Sequence, residues 1–100
     1  MAIHLDLMIL KLLSKEDMYG YQIVSELKKI SDEYFSLQTG TVYPLLRTMV
    51  TDNSLEAFEK ECAGKPRTYY KITQLGRQKL DEGAHRWVLF SEAVNKVLNS

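Results

Sequence analysis

Thr73 is a good helix N-cap, and the stretch from Gln74 to about Leu98 reads as one uninterrupted helix. At 1.5 Å per residue, such a helix is ~37 Å long. That overshoots any compact core the preceding residues could build. Its apolar positions Leu80, Ala84, Trp87, Val94 and Leu98 are spaced four, three, seven and four apart, and Phe90 and Val97 widen the stripe. A seam of this kind wants a partner helix. A chain of 100 residues also buries only a modest fraction of its surface, so pairing would add to its stability. The pattern therefore predicts a homodimer joined through residues 74–100, with Leu80, Ala84, Trp87, Val94 and Leu98 at the interface.

Residues 1–73 are patterned in shorter pieces. Ile3 to Leu13 is apolar at helical spacing, and Ser14-Lys15-Glu16-Asp17 breaks it. A second helix is expected over about Tyr19–Ile30, with Ile23, Val24 and Leu27 on one face. Tyr34 to Leu37 looks extended. Thr39-Gly40-Thr41 is a helix-start signal, because hydroxyls there can accept from unpaired backbone N–H groups. The third helix then runs to about Thr51, with Pro44 expected in its first turn, where a missing N–H does little harm. Asp52-Asn53-Ser54 stops it, and Asn53 tolerates the left-handed conformation that a helix end often needs. Leu55 to Cys62 and Thr68 to Ile72 read as strands around the turn Ala63-Gly64-Lys65-Pro66. The order is three helices, a hairpin and a long helix. The expected fold is mostly α with a small β-hairpin: a winged helix-turn-helix over residues 1–73, serving as a DNA-binding domain, and a dimerisation helix over 74–100.

Formal net charge is zero, from 13 basic and 13 acidic residues, although a nucleic-acid binder is usually biased to the basic side. The distribution is uneven. Residues 1–38 carry four basic and six acidic groups, 39–73 five and four, and 74–100 four and three. A local basic face is therefore permitted. The single cysteine, Cys62, excludes an internal disulfide and a cysteine-only metal site. His4 and His85 have no partners at metal-ligand spacing, so no metal or cofactor is expected. No Gly-rich phosphate loop, nucleophile elbow or paired-carboxylate motif is present, which argues against an enzyme. No basic leader and no apolar run of about 18 residues occurs, so a cytoplasmic protein without membrane contact is expected.

Three segments carry a family resemblance. They are Tyr19-Gly20-Tyr21-Gln22-Ile23 at the second helix, Gly40-Thr41-Val42-Tyr43-Pro44-Leu45-Leu46 at the third, and Gly64 to Gly76 across the wing, its return strand and the last helix cap. Together, in this order, they resemble the PadR family of winged-helix transcriptional regulators over nearly the whole chain. The loop after the third helix has Asn53 where the family usually has Gly. The Lys65-Pro66-Arg67 wing, flanked by Glu59 and Glu61, is less basic than many. The resemblance implies a repressor relieved by a small aromatic effector held between protomers, with Met8, Trp87 and Phe90 as candidate lining.

Double-stranded DNA as partner needs phosphate anchors and a few side chains at base edges. Thr39, Gly40 and Thr41 would offer the N–H groups of a helix N-terminus to phosphate. Tyr43 and Arg47, four apart, share a face, and Arg47 could reach a guanine edge or a phosphate. Lys65 and Arg67 would clamp backbone from the wing. The bland alternatives are that Tyr43 packs under the helix, Arg47 merely faces solvent, the wing is an ordinary charged turn, and Trp87 is an interface anchor. The rival function is a winged-helix module that binds protein and not DNA, which neutral charge favours.

Overall fold

A computed structural model describes residues 4–100. Ile3, the expected start of the first helix, lies outside the described residues. Among the described residues there are four helices: α1 (Leu5–Leu13), α2 (Gly20–Ile30), α3 (Thr39–Thr51) and α4 (Gln74–Leu98). Three strands, β1 (Met18–Tyr19), β2 (Leu55–Cys62) and β3 (Lys65–Ile72), form one antiparallel sheet in the order β1-β3-β2. This is the expected winged-helix layout with one addition. The sequence predicts a hairpin and a second helix opening at Tyr19; instead Met18 pairs with Tyr70 and Tyr19 with Tyr69 before α2 begins at Gly20. Two residues are too short a run for strand alternation to register in sequence.

The helix starts and stops follow local chemistry, with two corrections at α3. The threonine hydroxyl cap does not form: Gln38 is the N-cap, in extended backbone with no side-chain hydrogen bond, and Thr39 is already helical. Pro44 is then the sixth residue of the helix and not part of its first turn. A proline there removes the hydrogen bond to the Gly40 carbonyl four residues back. Asn53 does take the left-handed conformation at φ 68°. Thr73 caps α4 as expected, its hydroxyl accepting from the Gly76 N–H at 3.0 Å. The hairpin turn is tighter than the expected four residues. Ala63 and Gly64, at φ 54° and 81°, make it alone, which is the two-residue turn whose twist suits flanking strands.

The core is the meeting of one stripe from each short helix with the root of the sheet. Leu5, Ile9, Leu12 and Leu13 of α1, Ile23 and Leu27 of α2, and Val42, Leu46 and Met49 of α3 close over Met18, Leu55 and Ile72. The 42–46–49 spacing fixes which way α3 faces, since positions i, i+4 and i+7 lie on one side of a helix. From α4, Gly76 is buried and Leu80 packs against the core. A Cβ on Gly83 would come within 2.8 Å of Leu7 on α1. Beyond this, α4 leaves the body, and the molecule measures 56 × 29 × 22 Å. No helix among the described residues is long and apolar enough to cross a membrane.

Candidate functional site

With Val42, Leu46 and Met49 turned inward, the rest of α3 is presented outward. Thr39, Gly40, Thr41, Tyr43, Pro44, Arg47, Thr48 and Thr51 are all exposed. Arg47 is the one charged residue in the helix, and among the described residues it forms no salt bridge. The Thr48 and Thr51 hydroxyls are occupied locally, donating to the carbonyls of Pro44 and Arg47 at 3.2 and 3.0 Å. Thr39, Gly40 and Thr41 stand at a helix start with no side chain across it; the Thr41 N–H donates to the Gln38 carbonyl at 3.0 Å, and the open N–H groups of Thr39 and Gly40, with the helix dipole, favour an anion.

Tyr43 sits differently from its neighbours. It is 38% exposed, and its ring lies across Gly20 at the start of α2, where an added Cβ would meet Cε1 at 2.5 Å. Tyr70 of β3 completes the group. Burial pushes the Tyr70 hydroxyl up from its usual range, the Tyr43 hydroxyl adds to this, and the Arg47 charge opposes it. Tyr43, Tyr70 and Arg47 are thus neighbours at the seam of α2, α3 and β3. Gly20 and Tyr70 are members of this group that the sequence motif names without explaining. A side chain at Gly20 would have to displace the Tyr43 ring.

The strand register sorts the charges of the distal wing by face. Residues directly opposite in an antiparallel pair share a face, and alternate pairs face opposite ways. The pairs Leu55–Ile72, Ala57–Tyr70, Glu59–Thr68 and Glu61–Pro66 therefore continue the core face. The pairs Glu56–Lys71, Phe58–Tyr69, Lys60–Arg67 and Cys62–Lys65 make the outer one. Glu59 and Glu61 are on one side, and Lys60, Lys65 and Arg67 on the other. Two of those cations are seated on rings: the Arg67 guanidinium carbon lies 4.6 Å from the Tyr19 ring centre, and Lys60 Nζ 5.0 Å from that of Tyr69. Tyr69 itself is buried between Tyr19 and Phe58. The nearby Cys62 thiol, with burial, raises the Tyr69 hydroxyl above its usual range. Lys65, next to the turn, is exposed. The expected wing pair is therefore unequal: Lys65 stands free, while Arg67 is half-buried with its Nε unpartnered.

A cleft of about 940 Å³ opens between α1, α4 and the turn after α3. Trp87 and Phe90 line it, with ring centres 5.8 Å apart, and Trp87 also lies 5.0 Å from the His4 ring. Met8 is not among its lining residues; it is partly buried against the core. Leu7, a neighbour on α1, lines the cleft instead. Asp52, Ser54, Lys79 and Arg86 add a polar portion to the lining. Of the expected interface residues, Leu80 is half-buried within its own chain, while Ala84, Trp87, Val94 and Leu98 are exposed. Among the described residues, no group of three or more His, Cys, Asp or Glu is placed to hold a metal ion.

Comparison with known proteins agrees with this architecture. The family model described as the transcriptional regulator PadR-like family matches residues 9–82. The chain is 31% identical over 93 residues to an uncharacterized protein of Lysinibacillus sphaericus, covering 92% of this chain and 85% of that one. Among solved structures, a PadR-like transcriptional regulator of Bacillus cereus superposes with a TM-score of 0.85 at 33% identity, covering 96% of this chain and 92% of that one. A PadR-like transcription factor of Bacteroides fragilis gives 0.77 at 35% identity, covering 93% and 88%. With the second half of α1, all of α2 and α3, the wing and the start of α4 inside the matched span, the chain belongs to the PadR-like family of transcriptional regulators.

Proposed function

We propose that this regulator binds double-stranded DNA sequence-specifically as a homodimer. Residues 1–73 act as the DNA-binding unit and residues 74–100 as the dimerisation helix. The observation that carries the reading is the outward face of α3. It is a helix with an open N-terminus, a single cation at Arg47 and every acidic group kept off it. In a helix-turn-helix, that element enters the major groove. Thr39, Gly40 and Thr41 would meet phosphate, and Arg47 a base edge or phosphate. Tyr43 would hold the helix while keeping part of its ring at the surface. Lys65 would reach the flanking backbone from the wing, with Arg67 behind it. Zero net charge does not oppose this, because the distal acids of the wing, Glu59 and Glu61, face away from Lys60, Lys65 and Arg67.

The dimer reading is supported by α4. The stripe that packs inside the chain through Gly76, Leu80 and Gly83 continues as Trp87, Phe90, Val94, Val97 and Leu98, with Val97 and Leu98 exposed at 72% and 74%. The function is repression, relieved when a small aromatic molecule bound near Trp87 and Phe90 changes the separation of the two wings. A ligand does this only by binding two arrangements unequally. Such a regulator works beside the chromosome, in the cytoplasm.

Fluorescence anisotropy against a labelled duplex from upstream of the protein's own coding region tests the reading, with a scrambled duplex as control and salt varied. Tight, sequence-dependent binding at two protomers per site, falling steeply with salt, is expected. Equal binding to both duplexes across several upstream regions favours a protein-binding module.

A further inference from the structure

The turn that ends α3 is bound into α4. Gly76 sits so close that an added Cβ would run into the Ser54 carbonyl oxygen. The Thr73 hydroxyl lies 2.6 and 3.0 Å from the carbonyl oxygens of Asn53 and Ser54, to which it donates. One turn further along α4, Lys79 Nζ donates to Ser54 Oγ at 2.9 Å and pairs with Asp52 Oδ2 at 3.4 Å. Hydrogen bonding by Ser54 holds the Asp52 carboxyl below its usual range, and the Lys79 charge adds to this. The ion pair alone would be weak, since both side chains are nearly half exposed. Ser54 makes it matter. That residue is 2% exposed with Lys79 over it, and loss of Lys79 removes the donor its hydroxyl now meets at the wall of the cleft.

We infer that Lys79 is a positioning residue for DNA recognition, tying the C-terminal end of α3 to α4 through Ser54 and Asp52. The inference rests on the DNA-binding reading above. Two recognition helices must meet successive grooves one helical turn apart. Their separation is set by α4, so the angle between α3 and α4 has to be held. Apolar contacts between the two elements are non-directional, whereas a hydrogen bond to a buried hydroxyl has a preferred geometry. Asp52, Ser54 and Lys79 also line the cleft. Whatever enters the cleft therefore lies against the tie that orients α3.

The test uses the full chain with Lys79→Met and Lys79→Arg. Three quantities are read: affinity for the duplex the wild-type chain prefers, affinity for a scrambled duplex, and amide exchange across residues 49–54. In Lys79→Met, exchange at Asp52 to Ser54 should quicken and the preferred duplex should bind about tenfold more weakly, a change of about 1.4 kcal/mol. Scrambled binding and dimer mass should stay at wild-type values. Lys79→Arg should recover most of the loss. Wild-type affinity in Lys79→Met overturns the inference, whatever the exchange shows. So does an equal loss on both duplexes, which marks a lost charge, or a failure of Lys79→Arg to rescue. If Lys79→Met does not fold, Ser54→Ala cuts the same tie from the other side, and unchanged affinity there is equally decisive. A wild-type chain with no duplex preference defeats the DNA-binding reading itself, before any variant is made, and this inference falls with it.

Discussion

Arg47 and Gly20 illustrate two kinds of residue in one motif. Arg47 is held at the surface by the inward set of Val42, Leu46 and Met49, and nothing in the core depends on it. Arg47→Ala should therefore leave the unfolding midpoint unchanged. It should remove about 1–3 kcal/mol of preference for the correct duplex over a scrambled one. Retained preference in anisotropy would take Arg47 out of the interface. Gly20 behaves oppositely: it is buried and flush with the Tyr43 ring. Gly20→Ala pushes a methyl into that ring, and overpacking of this kind costs about 1–3 kcal/mol. If the ring is the obstacle, Gly20→Ala on a Tyr43→Ala background should cost much less. A double-mutant cycle in urea reads this directly, and additive losses would mean that Gly20 is glycine for another reason. Sequence motif alone marks both positions. It cannot say that one presents and the other makes room, because the ring that fills Gly20's space comes from 23 positions further along.

The elements were legible in proportion to their length. The 25-residue α4 and the three inward stripes follow from periodicity, and the stripes of α1, α2 and α3 do form the core. The two-residue β1 left no such trace, because its pairing is dictated by where β3 lies and not by its own pattern. The wing shows the reverse case. Its residues read as a near-neutral run, yet the register separates Lys60, Lys65 and Arg67 from Glu59 and Glu61. Lys65 is the exposed cation next to the turn, so Lys65→Ala should reduce the slope of log affinity against log salt by about one. Affinity for all sequences should fall together; an altered sequence preference would mean that Lys65 reads bases. The turn itself carries strain at Ala63, a β-carbon residue at φ 54°. The left-handed region costs such a residue roughly 1–2 kcal/mol, while glycine enters it freely. Ala63→Gly should raise stability by about 1 kcal/mol at most, since glycine also gives the unfolded chain more freedom. An unchanged or lowered urea midpoint would show that the strain is relieved some other way.

At the scale of the whole molecule, the shape is a body with a projecting helix, 56 Å long and 29 Å across at most. A lone chain would leave Trp87, Phe90, Val94, Val97 and Leu98 in water along one stripe, at roughly 25 cal/mol for each Å² of apolar surface a partner could cover. Val94 stands between Phe90 and Leu98 on that stripe, and Asn95 is the next residue round the helix. Val94→Asp places a charge where the seam would close, and an unpaired charge there is penalised by several kcal/mol. Asn95→Asp adds the same charge at the stripe's edge. In light scattering at micromolar concentration, the first variant should have the mass of one chain and the second the mass of two. Separation of the chains should also reach the DNA. Two half-sites bound through one dimer gain about 10²–10⁴ over either alone, so Val94→Asp should lose affinity on that scale while each body stays folded. A dimeric Val94→Asp would move the interface elsewhere on the molecule. A monomeric Val94→Asp with full duplex affinity would mean that a single α3 and its wing suffice, and would leave the length of α4 to be explained by the cleft it shares with α1.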